Sequence, residues 1–248
     1  MWGKFKKFIK GNKALCFFLV PLLRLTRSNQ GAAIYDKLFS NVIGGSVKVS
    51  LKNIPGEFMV DARSHILKRI LLTKEYEPEI VKQILGNINP HNDAINVGAN
   101  IGLFTNLLAN NINSNCKVLA IEPTPNAFKY LEENIESNGC SPRVVTFRGI
   151  AATKAGTYKL NIIAGNEEYS SIGVMVHPST RNKKTLCVEV YGDTIDNLVL
   201  SFNLTPGIIV IDVEGAEFSV LKGSIETLSR FRPIIISEID DALLQVQN

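Results

Sequence analysis

The sequence is poor in cysteine and histidine. Its 248 residues include four cysteines and three histidines, with no Cys-x-x-Cys pair and no cluster of histidines. Zinc sites and disulfide scaffolds need such groupings, so the spacing excludes both classes and no metal ligands are predicted. Sparse, scattered cysteines are typical of a reducing compartment, and we therefore expect a cytoplasmic protein.

Internal repeats and biased segments are also missing. The 18 glycines and 10 prolines are close to average usage, which excludes collagen-like and proline-rich chains. A hydrophobic fraction of 45% and a charged fraction of 20% are those of a globular chain. A chain of this length has room for one sizeable core but not for two large domains.

Positive charge is concentrated in residues 1–27, which contain five lysines, two arginines and no acidic residue. Because the whole chain has a net charge of only +4, the remaining residues are mildly acidic. A basic arm on an acidic body gives little support to a nucleic-acid-binding face, so no nucleic-acid partner is expected.

The basic arm contains an apolar run of ten residues, Ala14 to Leu23, interrupted by Pro21. This run is much shorter than the roughly 20 residues that cross a bilayer. Three interpretations stay open: a helix packed on the domain or on a partner subunit, a basic amphipathic helix bound weakly at a membrane surface, and an export signal. The first is favoured, and the third lacks a small-residue cleavage site.

Residues 28–90 are predicted to form an extension ahead of the main fold. A Pro55-Gly56 turn between two alternating apolar runs indicates a hairpin, and two helical patterns follow it. The predicted strands are Val47–Leu51 and Glu57–Val60, and the predicted helices are Ser64–Leu72 and Pro78–Leu85.

From residue 91 onwards, short runs rich in Val and Ile alternate with helical patterns. This alternation predicts an α/β domain of residues 91–248 with a Rossmann-like, doubly wound, mostly parallel sheet. The predicted strands are Ala94–Val97, Val118–Ile121, Val144–Phe147, Ile208–Val213 and Ile234–Ile236, and the helices are Leu103–Asn110, Ala127–Ser137 and Phe218–Leu228. The segments Thr157–Ile163 and Thr185–Tyr191 are predicted to form a hairpin or an extra layer.

The first strand of this domain runs into a glycine turn, Asn96-Val97-Gly98-Ala99-Asn100-Ile101-Gly102. Glycines at a strand-to-helix turn let a ligand approach the backbone, and the carboxylate of Glu122 follows the next strand, where it can accept hydrogen bonds from ribose hydroxyls. Dinucleotide sites favour GxGxxG, whereas Asn100 occupies the middle position here. We therefore favour S-adenosylmethionine over a nicotinamide cofactor, and a turn that only joins strand to helix is the third interpretation.

Three carboxylates, Asp212, Glu214 and Glu217, lie within six residues after the fourth predicted strand. Grouped carboxylates repel one another unless a partner offsets their charge, so the cluster indicates a functional site. Asp212 and Glu214 are two residues apart and are expected to project to the same side of an extended segment. One of these two carboxylates is predicted to be the general base. His91 and His177 are interpreted as solvated loop histidines, and His65, on the first predicted helix, has no better support as a catalytic residue.

The segments NVGANIG, IEPTPNAFKYLEENI, IDVEGAEFSVLKG and RPIIISEI, in this order, resemble the FkbM family of S-adenosylmethionine-dependent methyltransferases. The resemblance implies a class I methyltransferase fold and O-methylation of a hydroxyl on a small molecule, sugar or glycan. Together with the position of the turn, it gives Asn96, Gly98, Asn100, Gly102 and Glu122 as the predicted cofactor-binding residues.

The sequence departs from the family pattern at three places. Asn96 stands where the family usually has Asp, and its amide oxygen is a weaker acceptor for the cofactor's ammonium group. Val210 replaces a common Lys. Only nine residues follow Ile239, too few for two further strands, so either the sheet is shortened or the chain is truncated. These departures leave a second hypothesis open, a catalytically silent relative that acts as an interaction or membrane-associated protein.

Overall fold

The structure is a computed structural model. It describes residues 45–163, 171–172, 185–213 and 215–237. The basic arm, Glu214 and His177 therefore lie outside the described residues. None of the helices within these ranges is long and apolar enough to cross a membrane.

The N-terminal extension begins with the predicted hairpin. Strand β1 (Ser46–Ser50) pairs antiparallel with β2 (Glu57–Asp61), in the register Ser46 to Asp61. Helix α1 (His65–Thr73) begins after Ser64, whose hydroxyl accepts a hydrogen bond from the Leu67 amide, and α2 (Pro78–Asn87) begins at a proline. Both helix starts are typical, because the first amides of a helix have no acceptor within it. A serine hydroxyl accepts a hydrogen bond from one of them, and a proline has no amide that needs an acceptor.

A five-stranded parallel sheet forms the centre of the protein, in the order β11-β10-β3-β4-β5. Its strands are β3 (Asp93–Val97), β4 (Val118–Ile121), β5 (Val144–Phe147), β10 (Pro206–Ile211) and β11 (Ile234–Ser237). Helices α3 (Leu103–Asn111) and α4 (Pro125–Ser137) connect the first three strands. The predicted parallel α/β sheet is confirmed.

The sheet is buried on both faces because alternate strand residues enter two different hydrophobic cores. One face packs against the hairpin and helices α1 to α4, through Ala94, Val118, Ala120, Ile208 and Val210. The opposite face packs against the later helices, through Ile95, Val97, Leu119, Ile121, Ile209 and Ile211. Burial on both faces explains why these strands are continuous apolar runs rather than alternating ones.

The chain between β5 and β10 adds a second sheet in the order β6-β9-β7-β8. Strands β7 (Gly156–Ile163) and β9 (Thr185–Asp193) pair antiparallel, as expected for the hairpin that was one of the two predicted alternatives. Two short strands, β6 (Ile150–Ala151) and β8 (Ser171–Ile172), and one helix, α5 (Ile195–Ser201), were not predicted.

The prediction of a single helix over Phe218–Leu228 is wrong. The structure has two shorter helices, α6 (Glu217–Lys222) and α7 (Ile225–Phe231). At the break, a Cβ atom on Gly223 would lie 2.1 Å from the carbonyl oxygen of Ala152, so the close approach of that backbone leaves room only for glycine.

Asp196 of α5 stabilises the start of α7 across this break. Its carboxylate accepts hydrogen bonds from the amides of Glu226 and Thr227, at 3.1 and 2.7 Å, and its own amide donates to the Gly223 carbonyl at 3.0 Å. A carboxylate that caps amides at a helix start is stabilising, and this cap comes from a distant part of the sequence.

Candidate functional site

The glycine turn joins β3 to α3 and is held against the end of β4. The amides of Gly98 and Ala99 both donate to the carbonyl of Ile121, at 3.0 and 2.9 Å. Three residues of the turn have left-handed backbones, with φ of 77° at Gly98, 49° at Asn100 and 89° at Gly102. Such a backbone suits glycine and is tolerated by asparagine, so the residue types match the turn.

Packing requires glycine at position 98, and the left-handed backbone favours it at position 102, where the neighbouring atom is the flexible end of Leu131. A Cβ atom on Gly98 would lie 1.9 Å from the carbonyl oxygen of Asp212, and one on Gly102 would lie 2.8 Å from Cδ1 of Leu131. The first contact brings β10 close to the turn, and the second brings α4 close to it. This reason differs from the expectation that the glycines make room for a ligand.

Glu122 follows β4 and lies beside the turn, where its side chain is 6% exposed. Its Oε2 accepts a hydrogen bond from the Asn100 amide at 2.9 Å. Its Oε1 accepts from the amide and the hydroxyl of Thr124, at 2.8 and 2.6 Å. The carboxylate is therefore held in one orientation at the edge of the sheet where ligands of α/β proteins bind.

Asn96 is fully buried on β3, two residues before Gly98. Its Nδ2 donates to the hydroxyl of Thr105 on α3 at 2.9 Å. Its Oδ1 is the only buried side-chain polar atom without a hydrogen-bond partner in the described part of the chain. Buried polar groups are almost always satisfied, so this oxygen has the chemistry to accept a donor from a ligand or from water.

The structure brings Asp212 to the turn but leaves the predicted catalytic pair untested. Asp212 is partly buried, and its amide donates to the Val97 carbonyl at 2.9 Å. Strand β10 ends at Ile211, so strand alternation does not fix where the Asp212 side chain points relative to Glu214, which is outside the described residues. Glu217 is buried, and its Oε1 accepts from the Gly215 amide at 3.1 Å.

Two threonines of the site were not identified from the sequence. Thr124 holds the Glu122 carboxylate and Thr105 holds the Asn96 amide. Thr124 follows Glu122 by two residues, which is a local spacing that sequence inspection can find. Thr105 lies in the first turn of α3, and its contact with Asn96 depends on how that helix packs on the sheet.

The groups around the turn fit S-adenosylmethionine. Glu122 offers carboxylate oxygens to ribose hydroxyls, and the unpartnered Asn96 Oδ1 offers an acceptor to an ammonium group. Helix α3 has no side-chain cap at its start, so its first amides are available to a carboxylate. Among the residues that the structure describes, no group of three His, Cys, Asp or Glu side chains is placed to hold a metal ion.

Comparison with known proteins gives one family match and weak structural likenesses. The model of the methyltransferase FkbM domain matches residues 96–245, whereas no curated protein matches the chain.

Two of the similar solved structures are P. horikoshii TYW2 in complex with MeSAdo and a tRNA methyltransferase from M. jannaschii. The first has a TM-score of 0.33 and 19% identity, and the match covers 51% of each chain. The second has a TM-score of 0.31 and 16% identity, and the match covers 42% of this chain and 30% of the other. The chain thus spans about half or less of these proteins, and the likenesses are too low to carry an argument about substrate.

The strand order is that of a doubly wound α/β sheet, and the glycine turn and Glu122 lie together at the edge of that sheet where ligands of such folds bind. Because the family match extends over more than half of the residues, the chain belongs to the methyltransferase FkbM domain family, an S-adenosylmethionine-dependent methyltransferase family.

Proposed function

We propose that the protein transfers a methyl group from S-adenosylmethionine to a hydroxyl oxygen of a small molecule, a sugar or a glycan. Family membership supports methyl transfer, and the observation that carries the proposal is the Glu122 carboxylate fixed beside the glycine turn. The choice of oxygen as the acceptor, and of the acceptor class, comes from the resemblance in sequence.

The residues at the turn would hold the cofactor through complementary donors and acceptors. Glu122 would accept hydrogen bonds from the ribose hydroxyls, since each carboxylate oxygen has more than one lone pair. Asn96 Oδ1 would accept from the ammonium group, and the start of α3, after Gly102, would receive the carboxylate. Gly98 and Asn100 would contribute backbone shape, because their left-handed conformations set the direction of the turn.

When bound, S-adenosylmethionine supplies an electrophilic methyl group on a positively charged sulfur. The chain itself must hold the acceptor hydroxyl in line and take up its proton, and carboxylates are able to do both. Asp212 and Glu214 are the proposed bases. Asp212 directly follows β10 at the edge of the sheet that carries the glycine turn, and Glu214 is two residues later in the sequence.

A calorimetric titration with a matched pair of variants tests the cofactor part of this proposal. Glu122→Gln keeps the side-chain shape but removes the charge and places an NH2 group against Asn100 or Thr124. Glu132→Gln makes the same chemical change at an exposed position on α4. Loss of charge-assisted hydrogen bonds predicts that Glu122→Gln weakens S-adenosylmethionine binding about tenfold or more, whereas Glu132→Gln leaves it unchanged.

A methyl-incorporation assay with hydroxyl-bearing acceptors tests the reaction. Absence of binding to the intact protein would overturn the enzyme proposal. The alternative of a catalytically silent relative predicts a cooperative thermal transition with neither binding nor incorporation. A nicotinamide-dependent enzyme would instead be stabilised by NAD.

The charge of residues 1–27 supports a second, independent proposal, weak association with anionic membrane surfaces. Seven cationic side chains next to a short apolar run are the composition of a helix that lies at such a surface.

A further inference from the structure

Asn134, on the buried side of α4, connects two segments that are distant in sequence. It is fully buried, and all of its polar atoms face backbone groups. Its Oδ1 accepts from the Met59 amide at 2.6 Å, and its Nδ2 donates to the Met59 carbonyl at 3.0 Å and to the Ile101 carbonyl at 2.8 Å. Met59 belongs to β2 of the hairpin, and Ile101 belongs to the glycine turn.

One helical turn later, Asn138 makes the same kind of contact with the hairpin. Its Oδ1 accepts from the Glu57 amide at 3.0 Å, and its Nδ2 donates to the Glu57 carbonyl at 2.9 Å. Glu57 and Met59 are alternate residues of β2, so their outward backbone groups point away from β1. The two asparagine side chains thus form the hydrogen bonds to the backbone of β2 that a neighbouring strand would otherwise form.

The two asparagines differ in one contact. The Nδ2 of Asn134 reaches the turn at Ile101, whereas the second donor contact of Asn138 is to the Asn134 carbonyl within α4 itself, at 2.8 Å. Leu131, one turn before Asn134, also faces the turn, because it fills the space beside Gly102. Asn134 is therefore placed to affect the turn, and Asn138 is not.

The conformation of the glycine turn depends on contacts with its surroundings. Of its three left-handed residues, Asn100 is the one for which this backbone is costly unless its neighbours fix it, whereas Gly98 and Gly102 adopt it readily but are flexible for the same reason. The end of β4 fixes the first half through Ile121 and Glu122. The Ile101 carbonyl, in the second half, accepts its bond from Asn134.

We propose that Asn134 is a positioning residue for cofactor binding, which fixes the Ile101 carbonyl of the glycine turn to strand β2. The N-terminal hairpin precedes the matched family residues 96–245, and through this amide it supports the conformation of the cofactor turn. This inference rests on the proposed use of the turn as the cofactor site.

The test compares Asn134→Ala with the matched control Asn138→Ala. Both variants lose the contacts to β2, but only the first frees Ile101. Calorimetric titration with S-adenosylhomocysteine is expected to show at least fivefold weaker binding for Asn134→Ala and less than a twofold change for Asn138→Ala. Equal changes in affinity would overturn the proposal. They would show that the bonds to β2, which both variants lose, account for the change, and that the bond to Ile101 does not.

Hydrogen exchange of the unliganded proteins gives a readout that does not depend on cofactor. The amides of residues 98–103 are expected to exchange faster in Asn134→Ala than in Asn138→Ala. The two variants are compared under conditions in which the same fraction of each protein is folded. Equal exchange in this segment would contradict the proposal. If the wild-type protein fails to bind S-adenosylhomocysteine, the proposed function fails, and the exchange result still decides the role of Asn134.

A second substitution covers the case in which Asn134→Ala does not fold. Asn134→Ser keeps one short polar group, which cannot reach both Met59 and Ile101. It is expected to reproduce the faster exchange and the weaker binding to a smaller degree. Wild-type exchange and affinity in a folded Asn134→Ser protein would overturn the proposal.

Discussion

A series of glycine-to-alanine substitutions tests whether β10 contacts the glycine turn as closely as the structure shows. Gly98→Ala places a Cβ atom 1.9 Å from the Asp212 carbonyl oxygen at a residue whose φ is 77°. Gly139→Ala meets a similar φ of 68° but has nothing within 4 Å of its Cβ position. Gly86→Ala, in α2, has neither a positive φ nor a close neighbour.

The expected free energies of unfolding follow from these differences. A left-handed alanine costs about 1–2 kcal/mol, so this is the expected loss for Gly139→Ala. Gly98→Ala adds an overlap with the Asp212 backbone, and forced repacking costs a further 1–3 kcal/mol or so. Gly86→Ala is expected to stabilise the protein by about 0.5–1 kcal/mol, because alanine loses less backbone entropy in a helix than glycine does.

Urea denaturation followed by circular dichroism measures all three variants on one scale. The decisive quantity is the difference between Gly98→Ala and Gly139→Ala, which the contact with Asp212 predicts to be about 1–3 kcal/mol. Equal losses in the two variants would refute the close approach of β10 to the turn.

Two further predictions concern a buried carboxylate and the basic arm. Burial alone would raise the pKa of Asp61, but hydrogen bonds from Arg63 and its charge lower this pKa below its usual value. Asp61 therefore stabilises the fold above pH about 4, and this stabilisation is lost as the pH falls through the lowered pKa. The loss of stability in Arg63→Ala should accordingly be largest at neutral pH and shrink in acid, and a loss that does not vary with pH in urea denaturation would contradict this. In flotation with anionic liposomes, the intact chain should float more than a chain lacking residues 1–27, and equal flotation would remove the membrane proposal.

The parallel sheet could be predicted because its strands are buried on both faces. The predicted and observed bounds of Val118–Ile121 and Val144–Phe147 are the same, and these short, mainly apolar runs are fully buried in the first strand and partly buried in the second. The fourth strand was placed two residues too late. Its first residues, Pro206 and Gly207, are typical of a turn, but proline is tolerated at the first position of a strand.

The two helices after β10 could not be separated from the sequence. Their apolar pattern continues across Gly223 and Ser224, and the break depends on the Ala152 backbone and on the Asp196 cap. Both partners come from other parts of the chain. The helix α5 was missed for a different reason, because it is only seven residues long and buries one face.

The position of Glu122 beside the glycine turn could be predicted, because β3 and β4 are neighbours and their carboxyl ends meet at one edge. The reason for the glycines could not, since Asp212 and Leu131 reach them from distant elements. Asn134 was not singled out either. Asparagine on a helix is usually solvated, and only the packing of β2 against α4 shows that it is buried.

The proposed cofactor site depends most on Glu122 as the residue that binds the ribose of the methyl donor. A crystal structure of the protein with S-adenosylhomocysteine tests it most directly. We predict ribose hydroxyl oxygens about 2.5–3.0 Å from the Glu122 carboxylate, next to the turn that contains Gly98 and Gly102. A nucleoside bound elsewhere, or a Glu122 side chain that does not contact the ribose, would contradict it.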